Sequence, residues 1–192
     1  MRSDIVIKEV TKEHSNEYAQ IPMLGKFSSK YELQKVDGGL GGILFKEVEI
    51  EEYIKDIGLD QDPFEWESSF DLSNWGFFIV YHQDKPVAGI TLAFDTEGVN
   101  MLAKRKDLTV VWDIRVAPEY KGMGIGSQLI NAAKAWAKER NCTQLKIETQ
   151  NNNVAACKFY KSQGAVLGEI NEYAYYGDMD DEVMLIWYIE LE

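Results

Sequence analysis

Lys121-Gly-Met-Gly-Ile-Gly126 is the segment of this sequence best suited to do chemistry. Glycines alternate at 122, 124 and 126, directly ahead of an apolar-periodic stretch. Without a Cβ they let a ligand come close to the backbone. The first amides of a helix have no intrahelical partner and lie at the positive end of its dipole. The spacing therefore predicts an anion site suited to a phosphate. Two nucleotide motifs can be tested against it. A P-loop needs a Lys-Ser/Thr pair after its last Gly, where Ser127-Gln128 stands. A dinucleotide fingerprint needs a third Gly where Leu129 stands, although Glu148 falls near the place of that motif's acid. A dinucleotide-binding oxidoreductase is thus a poor fit. No Ser/His/Asp or Cys/His nucleophilic set and no metal-ligand spacing is present, so no metal is expected.

The elements that must position this turn follow from periodicity. Apolar runs at 76–81 and 86–94, joined by His82-Gln-Asp-Lys85, read as an antiparallel hairpin. Residues 108–116 are β-branched and apolar, a third strand. Leu129, Ile130, Ala133, Trp136 and Ala137 give helical spacing over 126–140, ended by Asn141. A short strand is expected at 144–149. A helix over 153–163 opens on the cap residue Asn153 and closes on Gly164. Two strands follow, at about 165–176 and 182–191. Upstream, 4–10 alternates like an edge strand, and Gly38, Gly39, Gly41 and Gly42 mark a loop. Val48, Tyr53, Ile54 and Ile57 predict a helix over 47–57, stopped by Gly58. Residues 62–74 read as irregular. The order is a mixed α/β sheet in one domain spanning 1–192.

This order carries a resemblance. Asp113-Ile-Arg-Val-Ala-Pro-Glu-Tyr-Lys-Gly-Met-Gly-Ile-Gly-Ser-Gln-Leu129 resembles motif A of the GNAT N-acetyltransferase superfamily, with Lys121 where that family usually has Arg or Gln. Asn153-x-x-Ala156-x-x-x-Tyr160-x-x-x-Gly164-Ala165 resembles its motif B. The two cover roughly 75–190. The resemblance implies the GNAT fold: a mixed, mostly antiparallel sheet splayed between two parallel strands and flanked by helices.

It also implies acetyl-CoA as co-substrate, lying between strands 109–116 and 144–149. The backbone of Ile114 and Val116 would bond the pantetheine. Lys121, Gly122, Met123, Gly124, Gly126 and Ser127 would hold the pyrophosphate. Asn153 would touch the pantetheine arm as well as cap its helix. Tyr160 matches the family's general acid, giving a proton to the departing thiolate. An amine acceptor is mostly protonated at neutral pH, so a base is needed. Glu148 and Asp113 are the candidate carboxylates.

The acceptor is read from the other end of the chain. From Gly164 onward there is no Lys or Arg, whereas Asp178, Asp180, Asp181 and Glu182 alternate with aromatics that include Tyr176. Carboxylates beside aromatic faces suit a cation, through charge pairing and cation–π contact. Asn171-Glu-Tyr-Ala-Tyr-Tyr-Gly and Asp181-Glu-Val-Met-Leu-Ile-Trp-Tyr188 resemble the streptothricin acetyltransferases of the Bacillus group. That resemblance implies acetylation of the β-lysine amine of this cationic antibiotic, and hence resistance. Another amine (a polyamine, an aminoglycoside or a protein N-terminus) and a non-catalytic acyl-CoA-binding module are the competing expectations.

The bulk composition agrees. With 20 Lys and Arg against 32 Asp and Glu the net charge is −12, which disfavours nucleic acid as a partner. No apolar run is long enough to span a bilayer, and residues 1–10 are charged, so no membrane association and a cytoplasmic location are expected. Cys142 and Cys157 read as semi-buried apolar residues. A homodimer is left open.

Overall fold

The computed structural model describes residues 5–60, 62–175, 177 and 182–192. In chain order these form β1 (Ile5–Val10), α1 (Ser15–Ala19), β2 (Leu24–Lys35), β3 (Ile43–Asp56), α2 (Pro63–Ser69), β4 (Gly76–His82), β5 (Lys85–Phe94), β6 (Leu108–Val116), α3 (Ile125–Glu139), β7 (Gln144–Gln150), α4 (Val154–Ser162), β8 (Val166–Asn171) and β9 (Met184–Glu190). Seven strands make one mixed sheet in the order β1-β4-β5-β6-β7-β9-β8, and β2 and β3 make a separate ribbon. β1, β4, β5 and β6 pair antiparallel. β6 and β7 pair in parallel from Leu108↔Gln144 to Val111↔Ile147. The expected GNAT architecture is therefore present.

The chain divides into two compact units, one of residues 1–24, 56–147 and 188–192, the other of 25–55 and 148–187.

In the first unit the β4–β5 hairpin turns on Gln83 and Asp84, both with positive φ, which matches the twist of the flanking strands. The apolar stripe of α3 is buried at Ile125, Leu129, Ile130, Ala133, Trp136 and Ala137. Gly76 makes room for the Trp136 indole, because a Cβ there would lie 2.6 Å from the ring. Arg140 closes α3 by donating to the Trp136 carbonyl at 3.1 Å, with its guanidinium over the indole. A second core gathers Tyr18, Trp66, Trp75, Phe77 and Ile79. Burying such rings removes about 150–250 Å² each from water, and edge-on or offset contacts such as Tyr18–Trp66 add further stabilisation.

Two expectations upstream are corrected here. Residues 62–74 are not irregular throughout. Pro63 sits at the first helical position of α2, and the Asp62 carboxylate accepts from the Phe64 amide at 3.0 Å. That is a cap-plus-proline helix start. Trp66 of α2 and Trp75, just beyond this segment, are buried core rings, whereas Phe64 is exposed.

In the second unit, residues 47–57 are not a helix. Residues 47–56 belong to β3, paired with β2, and Ile57 opens a 3₁₀ turn. The β-branched and aromatic residues Ile43, Phe45, Val48, Ile50, Tyr53 and Ile54 favour a pleated strand. Cross-strand rings hold the ribbon together, with Phe27 stacked on Tyr53 at 5.0 Å and Tyr31 edge-on to Phe45 at 5.9 Å. The glycine loop turns the chain between the two strands, with Gly38, Gly39 and Gly42 at positive φ. α4 buries Val154, Cys157 and Tyr160 at helical spacing and gives way to Gly164, φ +89°.

Candidate functional site

In the first unit, β6 leads through Ala117 and a single 3₁₀ turn, Pro118–Tyr120, into the glycine segment. Gly122 and Gly124 have φ of +77° and +83°. Gly124 is the residue before α3 and has no side-chain cap, and the first turn of α3 carries no acid. The amides opening α3 are therefore free of competing side-chain acceptors, at the positive end of the dipole. Apart from the glycine's own atoms and those of its chain neighbours, no described atom lies within 4 Å of where a Cβ would stand on Gly122 or Gly124. The glycines leave open space outside the backbone, the form of a cradle for an anion. Gly126 and Ser127 are half-buried and Met123 is 44% exposed. Lys121 donates to the Leu24 carbonyl at 2.6 Å, so its ammonium braces the turn in this structure.

β6 alternates in burial. Trp112, Ile114 and Val116 are half-buried, whereas Asp113 and Arg115 are buried. Arg115 grips Asp113 with two parallel hydrogen bonds of 2.8 Å, Nε to Oδ1 and Nη2 to Oδ2. Tyr18 donates its hydroxyl to Asp113 Oδ1 at 2.5 Å, and the Arg115 guanidinium lies over the Tyr18 ring. Burial, then the Asp113 charge, pushes the Tyr18 phenol well above its ordinary value. Burial works against the Arg115 charge, but the hydrogen bonds and charge of Asp113 outweigh it and raise its pKa. Gly89 pairs with Arg115 across β5 and β6. A Cβ on Gly89 would stand 2.5 Å from the Tyr18 ring, so the glycine is what admits the tyrosine. Asp113, a candidate base in the sequence, thus has a side chain only 1% exposed and both oxygens engaged. This arrangement suits a structural ion pair, since accepting a proton would break it.

In the second unit, Glu148 is half-buried on β7. Its Oε1 accepts from the Tyr175 hydroxyl at 2.7 Å, and that hydroxyl in turn accepts from Gln150 Nε2 at 3.0 Å. Burial and the Glu148 hydrogen bond push the Tyr175 phenol upward. Asn153 caps α4, its side-chain oxygen accepting from the Ala156 amide at 3.2 Å. Tyr160 is 6% exposed, beside Phe159. Burial pushes the Cys157 thiol up to about 12, which suits an inert core residue. Glu182 accepts from Asn152 at 3.0 Å and pairs with Lys55 at 3.4 Å, and Asn152 also donates to the Tyr53 hydroxyl. The other acceptor candidates, Tyr176, Asp178, Asp180 and Asp181, lie outside the described residues.

Three participants were not singled out in the sequence, Tyr18, Arg115 and Asn152, and Tyr175 stood there only among the aromatics of the acidic C-terminal stretch, not as a partner of Glu148. Arg115 had a signal, since two opposite charges two apart in an otherwise apolar strand share one face. Tyr18, 95 positions from Asp113, had none. Among the described residues no group of three His, Cys, Asp or Glu could hold a metal ion. No described helix is long and apolar enough to cross a membrane.

Comparison with known proteins gives a family match. The model described as "Acetyltransferase (GNAT) family" matches residues 44–165. Streptothricin acetyltransferase A of Bacillus subtilis (strain 168) is 34% identical over 80 residues, 41% of this chain and 46% of that protein. A streptothricin acetyltransferase of Escherichia coli is 36% identical over 84 residues, 43% of this chain and 48% of that protein. The chain therefore spans just under half the length of these curated relatives in alignment. Among solved structures, a putative streptothricin acetyltransferase from Bacillus anthracis str. Ames in complex with acetyl coenzyme A matches with TM-score 0.76 and 27% identity, over 97% of this chain and 99% of that one. A nourseothricin acetyltransferase shares the fold, with TM-score 0.76 and 21% identity over 99% of this chain and 100% of that one.

Proposed function

The chain belongs to the Acetyltransferase (GNAT) family, and from that premise we propose that it transfers the acetyl group of acetyl-CoA to a primary amine of a cationic small molecule, the β-lysine amine of streptothricin. The observation that carries the first half is the open cradle at Gly122–Gly126 on the uncapped start of α3. The second half rests on the acidic, aromatic C-terminal stretch and on two relatives that are named streptothricin acetyltransferases.

Acetyl-CoA supplies a thioester. The chain's own residues bind it and move protons. Amides of Met123, Gly124, Gly126 and Ser127 hold the pyrophosphate, with no anionic side chain in the first turn of α3 to compete. Ile114 and Val116 offer backbone groups to the pantetheine as an added strand would, and Asn153 touches the same arm while capping α4. A backbone N–H near Val116 steadies developing charge on the thioester oxygen. Glu148 takes the proton that the acceptor ammonium must lose, directly or through water. The amine nitrogen bonds the acetyl carbon as the carbon–sulfur bond breaks. Tyr160 gives its hydroxyl proton to the departing sulfur. Glu182 and the acids at 178, 180 and 181 attract the cationic acceptor. Acetylation removes one of that acceptor's positive charges.

Two measurements test this. Acetyl-CoA should raise the melting temperature where NAD does not. CoA release should then be fastest with streptothricin in a panel that includes spermidine, kanamycin and an N-terminal peptide. Activity with the other amines and none with streptothricin would refute the acceptor while leaving the acetyltransferase reading in place. Tyr160→Phe should lower turnover by about 10²-fold and leave acetyl-CoA affinity within about twofold.

A further inference from the structure

We infer that Tyr175 is a positioning residue for Glu148: its hydroxyl holds carboxylate Oε1 and leaves Oε2 turned out to accept the acceptor's proton. The inference rests on the assignment of Glu148 as the base. Its ground is the direction of two hydrogen bonds. Gln150 Nε2 can only donate, so the Tyr175 oxygen, 3.0 Å away, accepts from it. The phenolic proton is then committed to Glu148 Oε1 at 2.7 Å. Glu148 and Gln150 are two residues apart on β7 and so share a face, which is why one hydroxyl can serve both.

Tyr175 reaches this face from the turn after β8, a turn shaped by the Asn171 side chain accepting from the Tyr173 amide at 2.9 Å. Its phenol stays protonated across the neutral range, because burial and then Glu148 push its pKa upward. The donor is therefore permanent while the carboxylate beside it exchanges its proton. Among the described residues, the charged groups near this pair are Glu182, whose field reaches Tyr175, Lys55, which pairs with Glu182, and Lys146, two residues before Glu148 on the same face of β7. A hydrogen bond donated to a carboxylate favours its ionised form. Tyr175 thus fixes which oxygen of Glu148 is held and which is left to the acceptor.

The test is the pH profile of CoA release by the full chain, using acetyl-CoA and the fastest amine of the panel: streptothricin, spermidine, kanamycin or the N-terminal peptide. Tyr175→Phe keeps the ring and deletes the donor. The acid limb of kcat/KM should move up by about one pH unit, with about tenfold lower activity below it. The acetyl-CoA dissociation constant should stay within about twofold, because the residue is assigned no cofactor contact. Gln150→Leu leaves the hydroxyl but frees its orientation, so a smaller shift in the same direction is expected. It decides the matter if Tyr175→Phe melts before assay. An unmoved acid limb with only a raised acceptor KM would overturn the inference, since a mere loop anchor predicts that pattern. Glu148→Gln separates the two levels. If it is inactive while Tyr175→Phe leaves the limb in place, the base assignment stands and the role of Tyr175 falls. If Glu148→Gln is fully active, both fall.

Discussion

Asp113 and Glu148 are carboxylates on two strands of one sheet, and their surroundings make them opposites. Asp113 is sealed in, gripped twice by Arg115 and once by Tyr18. Glu148 is half-buried and held at one oxygen by a phenol. A charge taken out of water must be matched by a partner in good geometry, and once matched it cannot be spared. A carboxylate that has to trade protons needs the reverse: one fixed contact for orientation and one free oxygen. The difference teaches that partner count and exposure, more than residue type, separate a sealed structural acid from one with room to exchange a proton.

The comparison breaks first at Arg115. Arg115→Met leaves Asp113 buried and unpaired, and denaturant unfolding should show a loss of about 3–5 kcal/mol. An equally stable variant would mean that the sealed site is not sealed. Tyr18→Phe is next. It removes one hydrogen bond to a buried charge, worth about 1.5–3 kcal/mol. It should also change the alkaline side of the stability curve. The Tyr18 phenol is raised in the folded protein, so its neutral form is favoured there. Its contribution is intact below about pH 10, the ordinary tyrosine value, and is lost as pH climbs from there through the folded value. The phenylalanine variant should therefore lose less stability above that point than the parent does, which melting temperatures across an alkaline series would reveal. Glu148→Gln sits at the small end. Its amide oxygen can still accept from Tyr175, so unfolding free energy should change by no more than about 0.5 kcal/mol while turnover collapses. A large stability loss there would erase the contrast.

Much of this was legible in the sequence, for identifiable reasons. β4, β5, β6, α3, β7 and α4 are bounded within a residue or so of expectation, because each combines strong periodicity with a stop signal: the 82–85 turn, Asn141, Asn153 and Gly164. The ribbon strand β3 was misread because Val48, Tyr53, Ile54 and Ile57 fit a helical stripe in isolation. Only pairing with β2, settled by rings at 27 and 31, makes it a strand. At the site, the glycine cradle and the Asn153 cap are local devices and showed in the residues themselves. The tyrosine partners of the two carboxylates did not. Tyr18 and Tyr175 reach their targets across 95 and 27 positions of chain, and no spacing rule connects residues so far apart.

Gly89 has a consequence for how such a chain can diverge. Because any side chain at 89 would occupy the space of the Tyr18 ring, positions 18, 89, 113 and 115 cannot drift one at a time. A lineage that acquires alanine at 89 evicts the tyrosine and weakens the hold on the acid in the same step. Viable descendants then exchange the quartet together, for instance for an apolar set of similar volume. An engineer grafting β5 or β6 into another scaffold inherits the same linkage: the four residues travel as one unit or not at all.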